Sequence, residues 1–111
     1  ARAEALARDL GAQPLAWGDA AAMLQRADLL VNATTLGLHG EDVPLPLPAK
    51  GLTVMDCVYG DTPLARRAAA QGLRVVRGEA MLLHQGARAF RLWTGKPAPL
   101  DAMRAALGGA A

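Results

Sequence analysis

Leu29-Leu30-Val31 runs, without a polar residue, straight into Asn32-Ala33-Thr34-Thr35. A strand that shows no polar alternation is expected to be covered on both faces, the pattern of a parallel sheet flanked by helices. Upstream, Ala20, Met23, Leu24 and Ala27 keep helical spacing after Asp19, which is placed to act as N-cap. Before that, residues 13–16 have room only for a short strand, and Ala3, Leu6, Ala7 and Leu10 form the inward stripe of a first helix that stops at Gly11.

Downstream, residues 36–51 contain Gly37, Gly40 and then Pro44, Pro46 and Pro48, which exclude regular helix and predict a long surface loop of the kind that is functional or mobile. Leu52-Thr53-Val54-Met55 reads as the next strand, ending in Asp56-Cys57-Val58-Tyr59-Gly60. Thr62 then caps a helix with Pro63 at its first position, Leu64, Ala65, Ala68 and Ala69 inward, and Gly72 as its stop. Leu73-Arg74-Val75-Val76 is a further strand, feeding a helix from Gly78 to Trp93. Gly95, Pro97 and Pro99 break that helix before a last one bearing Leu100, Met103 and Leu107. This order predicts an α/β fold of about four parallel strands with right-handed crossovers, flanking helices and a C-terminal helix pair.

Within the long helix, His84, Arg88 and Arg91 make a solvated stripe, whereas Met81, Gln85, Ala89 and Leu92 share another. Gln85 is thereby expected among apolar neighbours, where an unpaired amide costs roughly 1–3 kcal/mol. Either the backbone of a neighbouring loop or a ligand hydroxyl would satisfy it.

Composition narrows the function classes. A chain of 111 residues with 52% hydrophobic content is long enough for one core. No apolar run approaches the roughly 20 residues of a membrane span and no leader pattern opens the chain, so a cytoplasmic protein without membrane contact is expected. Cys57 is the single cysteine and the two histidines lie far apart, which leaves neither an internal disulfide nor a metal-ligand cluster. Arginines alternate with acids to a net charge of +2, and aromatics are 4% of the chain, too few for nucleic-acid stacking platforms. The chain begins without Met inside a predicted helix, as part of a longer polypeptide would.

In open parallel sheets ligands meet the carboxyl ends of the strands, so residues 32–35, 56–60 and 77–81 carry the candidate chemistry. Gly78, between a strand end and a helix start, either lets another group approach the backbone closely or permits a tight turn. Asn32 and the two threonines suit turns and caps, and Asp56 suits anchoring a loop better than catalysis.

Together these segments resemble the C-terminal half of the shikimate dehydrogenase family (quinate/shikimate dehydrogenases). Asn32-Ala33-Thr34-Thr35-Leu36-Gly37-Leu38 is similar to the family's Asn-Ala-Thr-Ser/Thr-x-Gly-Met/Leu loop, and Asp56-Cys57-Val58-Tyr59 to its Asp-x-Val-Tyr strand end. Thr62-Pro63-Leu64, Gly72, Gly78, Met81-Leu82-x-x-Gln85 and Ala89-Phe90-x-Leu92-Trp93-x-Gly95 follow in the family's order and nearly its spacing. The departure comes after Tyr59, where the family's Tyr-x-Pro and a slightly longer loop are replaced by Gly60-Asp61.

The resemblance implies the C-terminal half of a Rossmann-like NADP-binding domain over residues 1–95, and over residues 96–111 a helix that returns to an N-terminal substrate domain. It implies NADP-linked, reversible reduction of 3-dehydroshikimate to shikimate in aromatic amino-acid (chorismate) biosynthesis. Tyr59 and Gln85 would contact substrate, and Asn32, Ala33, Thr34, Cys57, Gly78 and Met81 would lie along the cofactor, Cys57 and Gly78 nearest the nicotinamide. The family's catalytic lysine and aspartate, its Gly-rich phosphate loop and its 2′-phosphate-reading Asn-Arg-Thr cluster all precede the matched region. The chain alone is therefore expected to be inactive and to pack on an N-terminal half, and a homodimer is compatible with it. A noncatalytic nucleotide-binding or interaction module on the same sheet is the competing expectation.

Overall fold

The structure, a computed structural model, describes residues 1–108. The last three residues of the 96–111 segment lie outside the described residues. The elements are α1 (Arg2–Leu10), α2 (Trp17–Leu24), β1 (Leu29–Asn32), β2 (Thr53–Asp56), α3 (Pro63–Ala70), β3 (Arg74–Val76), α4 (Gly78–Thr94) and α5 (Leu100–Ala106). The sheet is parallel, in the order β1-β2-β3, with Leu30 beside Val54 and Val54 beside Val75.

Three strands form among the described residues, not four. Residues 13–16 stay outside any ladder, because β1 pairs only with β2 and Pro14 has no N–H to offer a neighbour. Asp19 is likewise not the N-cap of α2. The helix starts at Trp17, its first turn closed by the Asp19 N–H donating to the Ala16 carbonyl at 3.0 Å, so the Asp19 carboxylate lies in the first turn near the positive end of the helix dipole. Thr62 and Pro63 do start α3 as the sequence indicates, the Thr62 hydroxyl accepting the Ala65 N–H at 3.2 Å. Leu64, Ala65 and Ala68 of that helix are buried, whereas Ala69 is exposed.

The core lies on one face of the sheet. Leu24, Leu52, Val54, Leu64, Ala68 and Leu73 make it, together with Val43, Leu45 and Leu47 from the proline-rich segment. That segment is thus no free surface loop. Alternation of Pro with Val and Leu gives an extended chain of period two, which turns Val43, Leu45 and Leu47 inward and Pro44 and Pro46 outward. Proline supplies no donors, so the segment cannot join the sheet by a ladder. Arg67 of α3 holds it instead, donating from Nη1 to the Leu45 carbonyl at 3.1 Å and from Nη2 to the Val43 carbonyl at 2.8 Å, with Nε 2.7 Å from Asp42 Oδ2.

The other face is covered only in part. The first half of α4 borders Met55 and Val76, but Leu29 is 53% and Val31 46% exposed, so the two-sided burial expected for β1 is not met within the described residues. α1 behaves similarly, since only Ala7 of its apolar stripe is buried and Leu6 and Leu10 face outward. α5 packs on α4 where Gly86 leaves space: a Cβ there would lie 3.3 Å from Met103 Cε. Leu100 is exposed, and Met103 and Leu107 are half-buried.

Candidate functional site at the carboxyl ends of the strands

A buried polar network ties the loops leaving β1 and β2 to the start of α3. Asn32 ends β1 and Asp56 ends β2, and both are buried. Asn32 Nδ2 donates to Asp56 Oδ1 and to the Leu36 carbonyl, each at 3.0 Å. Its Oδ1 accepts the Thr34 N–H at 3.2 Å and the Thr34 hydroxyl at 2.7 Å. Asp56 Oδ1 also accepts the Val58 N–H at 3.0 Å, and its Oδ2 accepts the Thr62 hydroxyl at 2.5 Å. A buried carboxylate is tolerated when its lone pairs are filled in this way. One side chain therefore fixes where residues 33–36 and 57–59 emerge and where α3 begins.

Above this network the two loops border a groove of about 460 Å³ lined by Ala33, Thr34, Leu38, Cys57, Val58, Tyr59 and Met81. Its walls are mostly apolar. Leu38 is held over it by the turn of residues 37–41, in which the Glu41 carboxylate accepts the Gly37 N–H at 3.2 Å and the His39 N–H at 3.0 Å. Hydrogen bonds from the backbone of His39, Glu41 itself and Gly37 hold the Glu41 carboxyl below the usual carboxylate range. What that carboxylate contributes to the turn is therefore present above its unfolded pKa and lost as the pH falls through the folded one.

Gly78, the first residue of α4, sits directly against the second loop. A Cβ there would lie 2.8 Å from the Cys57 carbonyl oxygen, 2.9 Å from the Val58 carbonyl oxygen and 2.9 Å from Tyr59 Cδ1. Close approach is thus the reason for glycine, and the approaching group is the protein's own backbone and tyrosine ring. The Tyr59 ring is half exposed and its hydroxyl has no hydrogen-bond partner among the described residues.

Five of the residues picked out from the sequence, Ala33, Thr34, Cys57, Tyr59 and Met81, line this one groove. Gln85 lies in the adjoining groove, of about 430 Å³, with Met55, Val76, Ala80, Met81, His84 and Arg88. Met81 is common to the two. Gln85 is exposed, not buried: of the stripe it belongs to, Met81 and Ala89 are half-buried, but nothing among the described residues covers Gln85 or Leu92. Its amide needs no internal partner and is free to meet a ligand. Asn32 and Gly78 lie beneath the groove, and the polar atoms of Asn32 are already engaged. Leu38 and Val58 are wall residues that the sequence reading left without a role, although both stand inside the motifs it quoted. No group of three His, Cys, Asp or Glu residues able to hold a metal occurs among the described residues, and no helix there is long and apolar enough to cross a membrane.

A parallel sheet flanked by helices, with an apolar groove at its carboxyl-end loops, is the arrangement of an open, Rossmann-like α/β fold. Residues 78–107 match the family model described as Shikimate 5'-dehydrogenase C-terminal domain, and 95% of the chain aligns at 50% identity with the shikimate dehydrogenase (NADP(+)) of Anaeromyxobacter sp. (strain Fw109-5). The chain belongs to the shikimate dehydrogenase family and corresponds to its C-terminal portion. A Nitrobacter hamburgensis relative of the same name is 47% identical over 94% of the chain. The chain spans 41% and 39% of the length of these two relatives. Among solved structures, the Thermus thermophilus enzyme, in complex with NADP(H) and shikimate, superposes with a TM-score of 0.81 at 40% identity, covering 99% of this chain and 42% of that one. The Aquifex aeolicus enzyme gives 0.84 at 25% identity over 96% of this chain and 40% of its own.

Proposed function

We propose that this chain, joined to an N-terminal substrate domain, works in the NADP-dependent, reversible reduction of 3-dehydroshikimate to shikimate. The observation that carries this is the convergence of Ala33, Thr34, Cys57, Tyr59 and Met81 on one groove at the strand ends, in a chain half identical to an NADP-linked shikimate dehydrogenase. In this reading residues 1–95 complete the nucleotide-binding domain and residues 96–111 return toward the substrate domain.

The groove suits the nicotinamide end of the cofactor and not its phosphates. Leu38, Val58 and Met81 offer an apolar wall for a flat ring, and Ala33, Thr34 and Cys57 complete the lining. At the start of α4, by contrast, the Cys57 and Val58 carbonyl oxygens crowd Gly78 and would repel an anion there. Bound NADPH would supply the hydride. Asn32 acts by fixing the loop that presents Ala33 and Thr34, and Gly78 by letting Cys57 and Tyr59 come close to α4. Tyr59 and Gln85, whose hydroxyl and amide are unengaged, orient the substrate's oxygens. The proton is handled by the lysine and aspartate that the family resemblance places outside this chain.

The test uses a chimera in which the chain replaces the equivalent C-terminal portion of the Anaeromyxobacter relative. There Gln85→Ala is expected to remove about 1 kcal/mol of substrate hydrogen bonding, roughly a fivefold fall in kcat/KM for shikimate, with KM for NADP within about twofold of the parent. Steady-state kinetics on both substrates checks this. An equal rise in both KM values, or an unchanged kcat/KM, would remove Gln85 from the substrate site.

A further inference from the structure

The loop after Tyr59 is shorter here than in the family pattern, and the structure shows what holds it. Gly60 is at φ 88°, a turn that favours glycine, and its peptide is gripped from both sides by residues at the start of α4. The Gly60 N–H donates to Glu79 Oε1 at 2.6 Å, and the Gly60 carbonyl accepts from Arg77 Nη1 at 3.3 Å. Arg77 also lies 3.6 Å from the Asp61 carboxylate, which Arg66 approaches at 3.3 Å. Between these anchors the Tyr59 ring rests over Gly78.

Resting on the reading above, we propose that Glu79 is a positioning residue for the substrate: through the Gly60 N–H it fixes the direction in which Tyr59 projects into the groove. Its carboxylate is suited to this. A charge-assisted bond to a backbone N–H is about twice as strong as a neutral one, and an acid in the first turn of α4 is favoured by the helix dipole. Glu79 Oε2 is buried without a partner, so the side chain's one hydrogen bond is the one to Gly60. Glu79 makes no hydrogen bond to Ala33, Thr34, Leu38 or Met81 of the groove wall, so its loss is expected to act on substrate more than on cofactor.

In the chimera, Glu79→Ala is expected to raise KM for shikimate about five- to tenfold while KM for NADP and kcat stay within about twofold. Glu79→Gln keeps an acceptor for the Gly60 N–H and is expected to return KM to within about threefold of the parent. Amide hydrogen exchange of residues 59–61 should quicken at least about tenfold in Glu79→Ala and much less in Glu79→Gln. A lowered melting temperature with unchanged KM values would make Glu79 a scaffold residue and overturn the proposal. An inactive parent chimera would count against the functional reading, and the exchange arm would still decide whether Glu79 fixes the loop.

Discussion

Asp56→Ala should cost roughly 3–5 kcal/mol of folding stability, the largest loss expected of any polar substitution in the site, because it orphans several buried donors at once. Asn32 Nδ2 keeps its bond to the Leu36 carbonyl but loses its other acceptor, and the Val58 N–H and the Thr62 hydroxyl lose theirs. Each orphaned donor costs about 1–3 kcal/mol, and local repacking recovers only part of that sum. Asp56→Asn keeps an oxygen for Asn32 and Val58 and turns an amide toward Thr62, so about half of the loss is expected. Urea unfolding of the chimera and both variants measures this. Two variants within about 1 kcal/mol of the parent would mean that the network does not anchor these loops.

Gly78→Ala pits two effects of opposite sign against each other. Alanine has the better helix propensity by about 1 kcal/mol, and the backbone at this position is not in the left-handed region, so conformation alone would favour the substitution. Space opposes it. The added methyl would meet two carbonyl oxygens and the Tyr59 ring at 2.8–2.9 Å, and neither carbonyl belongs to a flexible side-chain end. Overpacking costs of about 1–3 kcal/mol therefore outweigh the propensity gain. Moving the loop of residues 57–59 also displaces Tyr59 and Cys57 together, so kcat/KM for shikimate should fall by at least about tenfold, more than for Gln85→Ala. Thermal unfolding and steady-state kinetics on one preparation check the two parts. A more stable variant with parent-like kinetics would show that the contact at Gly78 is not tight.

The sequence shows the strand ends more clearly than their surroundings. Asn32 and Asp56 are legible because a short polar residue closing an apolar run has few uses except to tie loops, and Thr62 with Pro63 announces the start of α3 through local chemistry. The errors of burial share one cause, which is that periodicity shows which residues could be covered but not what covers them. Leu29 and Val31 are apolar for a layer that the described residues do not supply, and Gln85 inherits its exposure from the same uncovered side. Residues 43–47 fail in the opposite direction. Their prolines rightly exclude a ladder, but a period-two chain can still reach the core when a distant side chain, here Arg67, satisfies its carbonyls. The Glu79 to Gly60 contact could not be read from spacing at all, since it joins residues 19 apart with α3 and β3 between them.

Turnover of the chimera itself decides whether this chain supplies the nicotinamide and substrate side of a shikimate dehydrogenase. Mixed with 3-dehydroshikimate, the chimera should oxidise NADPH with stoichiometric formation of shikimate, while the 111-residue chain alone is expected to show none. A chimera that is folded and binds NADPH but leaves 3-dehydroshikimate unreduced would show that it does not.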